Sequence, residues 1–166
     1  MTPPNDVDCS LPELQSLDLA NPLQPVTGIL TGGCPSDRDL IRLSRSGLKT
    51  VLDLRPPEEW KDDDFPGRVR RTGLAFLNLP VSGLAGMNPA LTRRFREYWQ
   101  DRGLRPMLVH CASGNRVGAM VALAAHRHGG QDPQEALVQG QQAGLKASEP
   151  GVRQLLGIPE NPGGGV

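Results

Sequence analysis

H-C-A-S-G-N-R-V-G, residues 110–118, stands between a short apolar run, Pro106 to Val109, and a segment in which Val117, Met120, Val121 and Ala124 recur at helical spacing. The pattern is that of a buried strand running into a tight loop that opens a helix. The loop starts on Cys111 and ends on Arg116, with Gly114 between them to let the backbone curl without a side chain in the way. Backbone N–H groups of Ala112, Ser113, Gly114, Asn115, Arg116 and Val117 can point into such a ring. The helix beyond adds its unsatisfied donors and the positive end of its dipole.

A dianion such as a phosphate monoester suits that cradle. Arg116 can fork two parallel hydrogen bonds onto its oxygens, which a lysine cannot do. Cys111 lies at the bottom of the same positive field, which is expected to favour the thiolate and lower its pKa well below the free value of roughly 8.5. A nucleophile and its electrophile would then share one pocket. A lone cysteine at a strand end is ordinarily a small buried hydrophobe. Strand, cysteine, glycine-bearing loop, arginine and helix in succession favour the functional reading over that one.

Charge points the same way. Across 166 residues Lys plus Arg, 18, equals Asp plus Glu, 18, so no bulk field argues for nucleic acid or an anionic membrane surface and any attraction for anions is local. Met1-Thr2-Pro3-Pro4-Asn5-Asp6 has neither a basic n-region nor an apolar h-region, and no apolar run is long enough to span a bilayer, so the expectation is a soluble cytoplasmic protein. Cys9, Cys34 and Cys111 are odd in number and widely spaced, which fits neither a disulfide framework nor a zinc site. His110, Cys111, His126 and His128 make a poor metal set, because His126 and His128 point to different helix faces; no metal and no cofactor is expected.

Residues 1–25, interrupted by Pro3, Pro4, Pro12, Pro22 and Pro25, are read as a flexible tail, or at most a strap laid on the domain. Residues 26–157 form the expected domain, and 158–166 a second flexible tail. Within the domain, Val26 to Thr31 reads as a first strand and Ser36, with Asp39 three residues on, as the N-cap of a helix. Thr50 to Leu54 and Leu74 to Leu79 read as core strands. Glu58 to Asp64 reads as exposed and acidic. Asn88-Pro89 and Asp132-Pro133 open helices, and a last short helix lies around Val152 to Leu156. Strands alternating with helices predict an α/β layer with a mostly parallel central sheet, with ligands at the carboxyl ends of the strands.

With those residues in view, His-Cys, the glycine-bearing loop and Arg resemble the cysteine-dependent protein tyrosine and dual-specificity phosphatase superfamily. T-G-G-C-P-S-D-R-D-L (31–40), G-L-K-T-V-L-D-L-R (47–55), L-A-F-L-N-L-P-V (74–81), residues 110–118 and G-V-R-Q-L-L-G (151–157) resemble one branch of it, the bacterial phosphatase-like domain associated with beta-lactamase-hydrolase-like proteins. The resemblance implies a single-domain, three-layer phosphatase-like fold with helices on both faces of the sheet. It also implies a phosphorylated protein or small molecule as substrate, Cys111 as the nucleophile forming a phosphocysteine, Arg116 as the phosphate ligand, and His110 as a support behind the loop.

Three departures bear on rate. Ala112 to Asn115 make four residues between Cys and Arg where five are usual; Val117 stands where a Ser or Thr commonly helps the thiolate leave, with Ser113 the available substitute; and the loop that usually carries an acidic residue, Pro80 to Asn88, has no carboxylate. Asp53 and the run Asp62, Asp63 and Asp64 are the remaining candidates, with a structural role for Asp53 beside Arg55 preferred. The expectation is a slow phosphatase, or one whose substrates carry leaving groups that need little protonation. The alternatives are a rhodanese-like sulfurtransferase holding a persulfide on Cys111, and a non-catalytic phosphate-binding or redox-sensing module in which Cys34 resolves an oxidised Cys111.

Overall fold

The computed structural model describes residues 11–159. Five strands form one sheet in the order β1-β2-β5-β3-β4. β1 (Leu23–Val26) and β2 (Ile29–Gly32) make an antiparallel hairpin turned at Gly28, and β2, β5 (Met107–His110), β3 (Thr50–Asp53) and β4 (Ala75–Asn78) run parallel. The mostly parallel sheet and three layers expected from the sequence are present.

Alternation along the inner strands sends successive side chains to opposite faces. Ile29, Leu52, Met107 and Val109 point into a core closed by α3 (Pro89–Gln100), α4 (Asn115–Gly129), α5 (Pro133–Gln142) and α6 (Glu149–Leu156). Leu30, Val51 and Leu108 point into a second core under α1 (Asp37–Arg45) and α2 (Phe65–Arg71). The helices begin where local chemistry directs. Ser36 and Asp39 form a reciprocal capping box on α1, while Asn88 and Asp132 cap α3 and α5 ahead of a proline.

Two expectations change. The single strand Val26 to Thr31 is a hairpin, and Pro25 sits inside β1, which an edge strand accommodates because it leaves one row of N–H groups unpaired. The described part of the expected tail, 11–25, is packed as a strap. Leu17 and Leu19 are buried in the second core, and the buried Asp39 carboxylate accepts the N–H groups of Asp18 (2.8 Å) and Leu19 (2.9 Å) while Arg42 donates to the Ser16 carbonyl (2.7 Å). At the other end Ile158 is also buried and donates its N–H to the Arg153 carbonyl (2.9 Å). Residues 1–10 and 160–166 of the two expected tails lie outside the described residues.

No described helix is long and apolar enough to cross a membrane.

Candidate active site

Parallel pairing puts the carboxyl ends of β2, β5, β3 and β4 side by side: Gly32 is in register with His110, His110 with Asp53 and Asp53 with Asn78. The segments leaving these strands therefore meet on one edge of the sheet, and Cys111 is in the middle of them. Its backbone N–H donates to the Gly32 carbonyl (3.2 Å), and Ser113 bridges to Gly33, so β2 clamps the start of the loop.

Gly114 supplies the turn. Its φ of +96° belongs to the left-handed region that a side chain disfavours, and it packs against the Gly32 backbone. This conformation folds the Gly114 N–H back onto the Cys111 Sγ at 3.0 Å. It also makes Gly114 the N-cap of α4, with no side chain closing the helix end. α1, α2, α3 and α5 have a capping side chain; α4, the longest described helix, and the short α6 have none. The first-turn amides of Asn115, Arg116 and Val117 have no intrahelical acceptor by the geometry of any α-helix, and they lie just beyond the sulfur.

The remaining loop residues divide clearly. Ala112 and Ser113 are exposed at the rim, while Val117 is fully buried in the first core. The Asn115 side chain faces away from the sulfur. Its Oδ1 accepts the N–H groups of Lys146 and Ser148 (3.0 Å each) and its Nδ2 donates to the Ser148 hydroxyl (2.6 Å), tying the loop to the segment before α6.

Arg116 brings in a residue from the stretch expected to be solvent-exposed. Its Nη1 and Nη2 donate to Oε2 (2.7 Å) and Oε1 (2.8 Å) of Glu59, and Nη1 donates again to the Val81 carbonyl (2.8 Å). Within the stretch expected to be exposed and acidic, Glu59 is thus half-buried and committed, whereas Asp62 is exposed, Asp63 pairs with Arg68 (2.6 Å) and Asp64 caps α2 and pairs with Arg71 (3.0 Å). Both partners of the pair favour its ionised form: the Arg116 hydrogen bonds hold the Glu59 carboxyl below the usual range, and the Glu59 carboxylate raises Arg116, with the nearby Cys111 sulfur adding to it. Of the guanidinium's N–H groups, the Nε–H and the second Nη2–H donate to no oxygen among the described residues, with the Cys111 sulfur as their neighbour, and these two lie on one edge, spaced for a bidentate oxyanion.

Behind the loop, on the second-core face, sits His110. It is fully buried against the Phe65 ring, with Nδ1 3.2 Å from the Cys111 carbonyl and Nε2 3.8 Å from Asp53 Oδ2. Asp53 is fully buried and accepts the backbone N–H, Nε and Nη2 of Arg55 and the indole Nε1–H of Trp60. Cys34 packs against the second core and Cys111 lies in the first, so the two sulfurs are on opposite faces of the sheet and Cys34 is placed against Arg55 rather than beneath the loop. His126 and His128 are far along α4; Nδ1 of His126 is 2.9 Å from the Gln131 carbonyl and Nε2 of His128 is 2.9 Å from the Thr92 hydroxyl.

Burial pushes the His110 imidazole down to about 4, against the partial pull of Asp53. An unfolded imidazole takes its proton near 6.5, so the folded state is protonated later as the pH falls. Stability is full above about 6.5 and is lost progressively toward 4, by an amount of order 3 kcal/mol for this group. NMR of the His110 ring is expected to show a neutral imidazole at pH 5.5; a midpoint near 6.5 would contradict the buried placement.

A family model described as DSP-PTPase phosphatase fused to NAD+ kinase matches residues 10–153. A beta-lactamase hydrolase-like protein of Xylella fastidiosa is 30% identical over 96 residues, 55% of this chain but 22% of that protein, so the alignment spans about a fifth of the relative. Among solved structures, the core catalytic domain of a PP-IP phosphatase from S. cerevisiae, in complex with citrate, superposes with a TM-score of 0.60 at 18% identity, covering 87% of this chain and 88% of that one. Kinase associated phosphatase with its catalytic site cysteine replaced by serine gives 0.61 at 14% identity, covering 87% and 98%.

Proposed function

The chain belongs to the family described as DSP-PTPase phosphatase fused to NAD+ kinase, and from that membership we propose that it hydrolyses phosphate monoesters through a cysteinyl-phosphate, with Cys111 as nucleophile and Arg116 as the phosphate ligand. The observation that carries this reading is the uncapped start of α4. A sulfur, a first turn of amides without intrahelical acceptors and a guanidinium edge with no oxygen partner among the described residues are gathered within residues 111–117. A tetrahedral dianion uses all three, since its oxygens take the amides and the Nε/Nη2 edge while its phosphorus faces the sulfur.

In the first step the sulfur attacks phosphorus in line, the P–S bond forms and the bond to the leaving oxygen breaks. In the second, water attacks phosphorus and gives up a proton to solvent, the P–S bond breaks with its electron pair returning to Cys111 as thiolate, and inorganic phosphate leaves. The loop amides and Arg116 are arranged before the reaction begins, so charge on the equatorial oxygens is met without reorganisation. Ala112, Ser113, Gly114, Asn115 and Val117 contribute through their main chain in this scheme, and His110 holds the loop from behind.

The direct test is protection. Orthovanadate and inorganic phosphate are expected to slow alkylation of Cys111 by iodoacetamide in a saturable way, while chloride at the same ionic strength does not. Alkylation indifferent to both anions would sink the reading. A thiosulfate-to-cyanide assay on the same preparation separates it from sulfur transfer.

A further inference from the structure

Neither Trp60 nor Asp53 belongs to the phosphate cradle, yet a short path leads from both to Arg116. Asp53 closes β3 with its carboxylate buried, and Trp60 Nε1 donates to its Oδ2 at 3.0 Å. Pro57–Trp60 is a single 3-10 turn, entered through Pro56 and left through Lys61 at a left-handed φ of +51°. Glu59 and Trp60 are adjacent within this one turn, so the placement of the indole constrains the carboxylate beside it. That carboxylate grips the Nη1/Nη2 end of Arg116. The indole is held a second way, by an edge contact with Phe76 at 5.9 Å between ring centroids. Arg55 already balances the Asp53 charge with its Nε and Nη2 donors. The indole N–H therefore adds direction to a carboxylate that is already neutralised.

We infer that Asp53 and Trp60 are positioning residues: their hydrogen bond sets the 57–60 turn, the turn sets Glu59, and Glu59 aims the free edge of Arg116 at the substrate phosphate. This rests on the phosphatase reading above. It assigns Asp53 a role in catalysis without contact to substrate. A merely structural bond would cost stability when removed but would leave the guanidinium where it is.

Trp60→Phe keeps the ring and its contact with Phe76 and deletes only the N–H. For para-nitrophenyl phosphate, kcat/KM is expected to fall about tenfold, and inhibition by orthovanadate to weaken by a comparable factor. Glu59→Gln should do the same, and the Trp60→Phe/Glu59→Gln double variant should lose less than the product of the two, because both act through Arg116. Unchanged turnover and vanadate inhibition in Trp60→Phe, whatever happens to its Tm, would overturn the inference, and so would a double variant whose losses multiply. Asp53→Asn strips Arg55 of its partner and tests folding as much as aim. Should Trp60→Phe also fold poorly, Glu59→Gln at its half-buried position still decides, since full vanadate affinity there breaks the path. Wild-type protein that neither turns over the ester nor shows vanadate protection of Cys111 refutes the phosphatase reading itself, before any variant is compared.

Discussion

Cys111→Ser is expected to turn over para-nitrophenyl phosphate at least ~10⁴-fold more slowly than the wild type, with the fold and the affinity for vanadate nearly intact. A serine oxygen can still accept the Gly114 N–H that now reaches the sulfur at 3.0 Å, so the loop keeps its shape. What is lost is nucleophilicity: an alcohol needs a base to surrender its proton, and none is in reach among the described residues. The His110 ring lies on the opposite face of the sheet, its Nε2 toward Asp53 and its Nδ1 at the Cys111 carbonyl. The Glu59 carboxylate is engaged with Arg116. Rapid-quench labelling with a radioactive aryl phosphate should trap an acid-stable phosphoprotein in the wild type and none in the serine variant. A variant that keeps a tenth of the wild-type rate would mean that water attacks the ester directly and that Cys111 is only a wall of the pocket.

The parts of this site that could be read in advance are those whose determinants are neighbours in the chain. Cys111, Gly114 and Arg116 lie within six residues between a strand and a helix, and the caps Ser36, Asn88 and Asp132 act on amides two or three residues away. Glu59 could not be read in that way. Its partner is 57 residues distant, and the contact exists because β3 and β5 are adjacent in the sheet, with Asp53 in register with His110. Sheet order is a tertiary property, and nothing local to Pro56-Pro57-Glu58-Glu59-Trp60 distinguishes the carboxylate that meets solvent from the one that meets Arg116. A 3-10 turn separates them, sending Glu58 outward and Glu59 inward. Pro25 misled for a related reason: a proline ends a central strand, and only the place of β1 at the sheet edge makes it harmless.

On the proposed function, the commitment of Glu59 and Asp53 also bears on which esters should be preferred, and here the second large effect is expected. Expelling an alkoxide without a proton is slow, and a positioned acid ordinarily supplies 10²–10⁴-fold of the rate. The loop from Pro80 to Asn88 has no carboxylate to serve as that acid. Asp53 is buried beneath Arg55 and Trp60, and Glu59 is held ionised by Arg116, a state from which it has no proton to give. Leaving groups that depart as stable anions avoid the difficulty; alkyl esters do not. Across a series of phosphate monoesters, kcat/KM is therefore expected to fall steeply as the leaving group becomes more basic, with an alkyl ester at least ~10²-fold below the value an acid-assisted enzyme would retain. Glu59→Gln should lower aryl and alkyl substrates by the same factor, because it disturbs Arg116, the phosphate ligand on the proposed function, and not a proton donor. A shallow dependence on leaving-group basicity, or a Glu59→Gln loss confined to the alkyl ester, would show that a carboxylic acid does protonate the departing oxygen and that Glu59 releases Arg116 to do it.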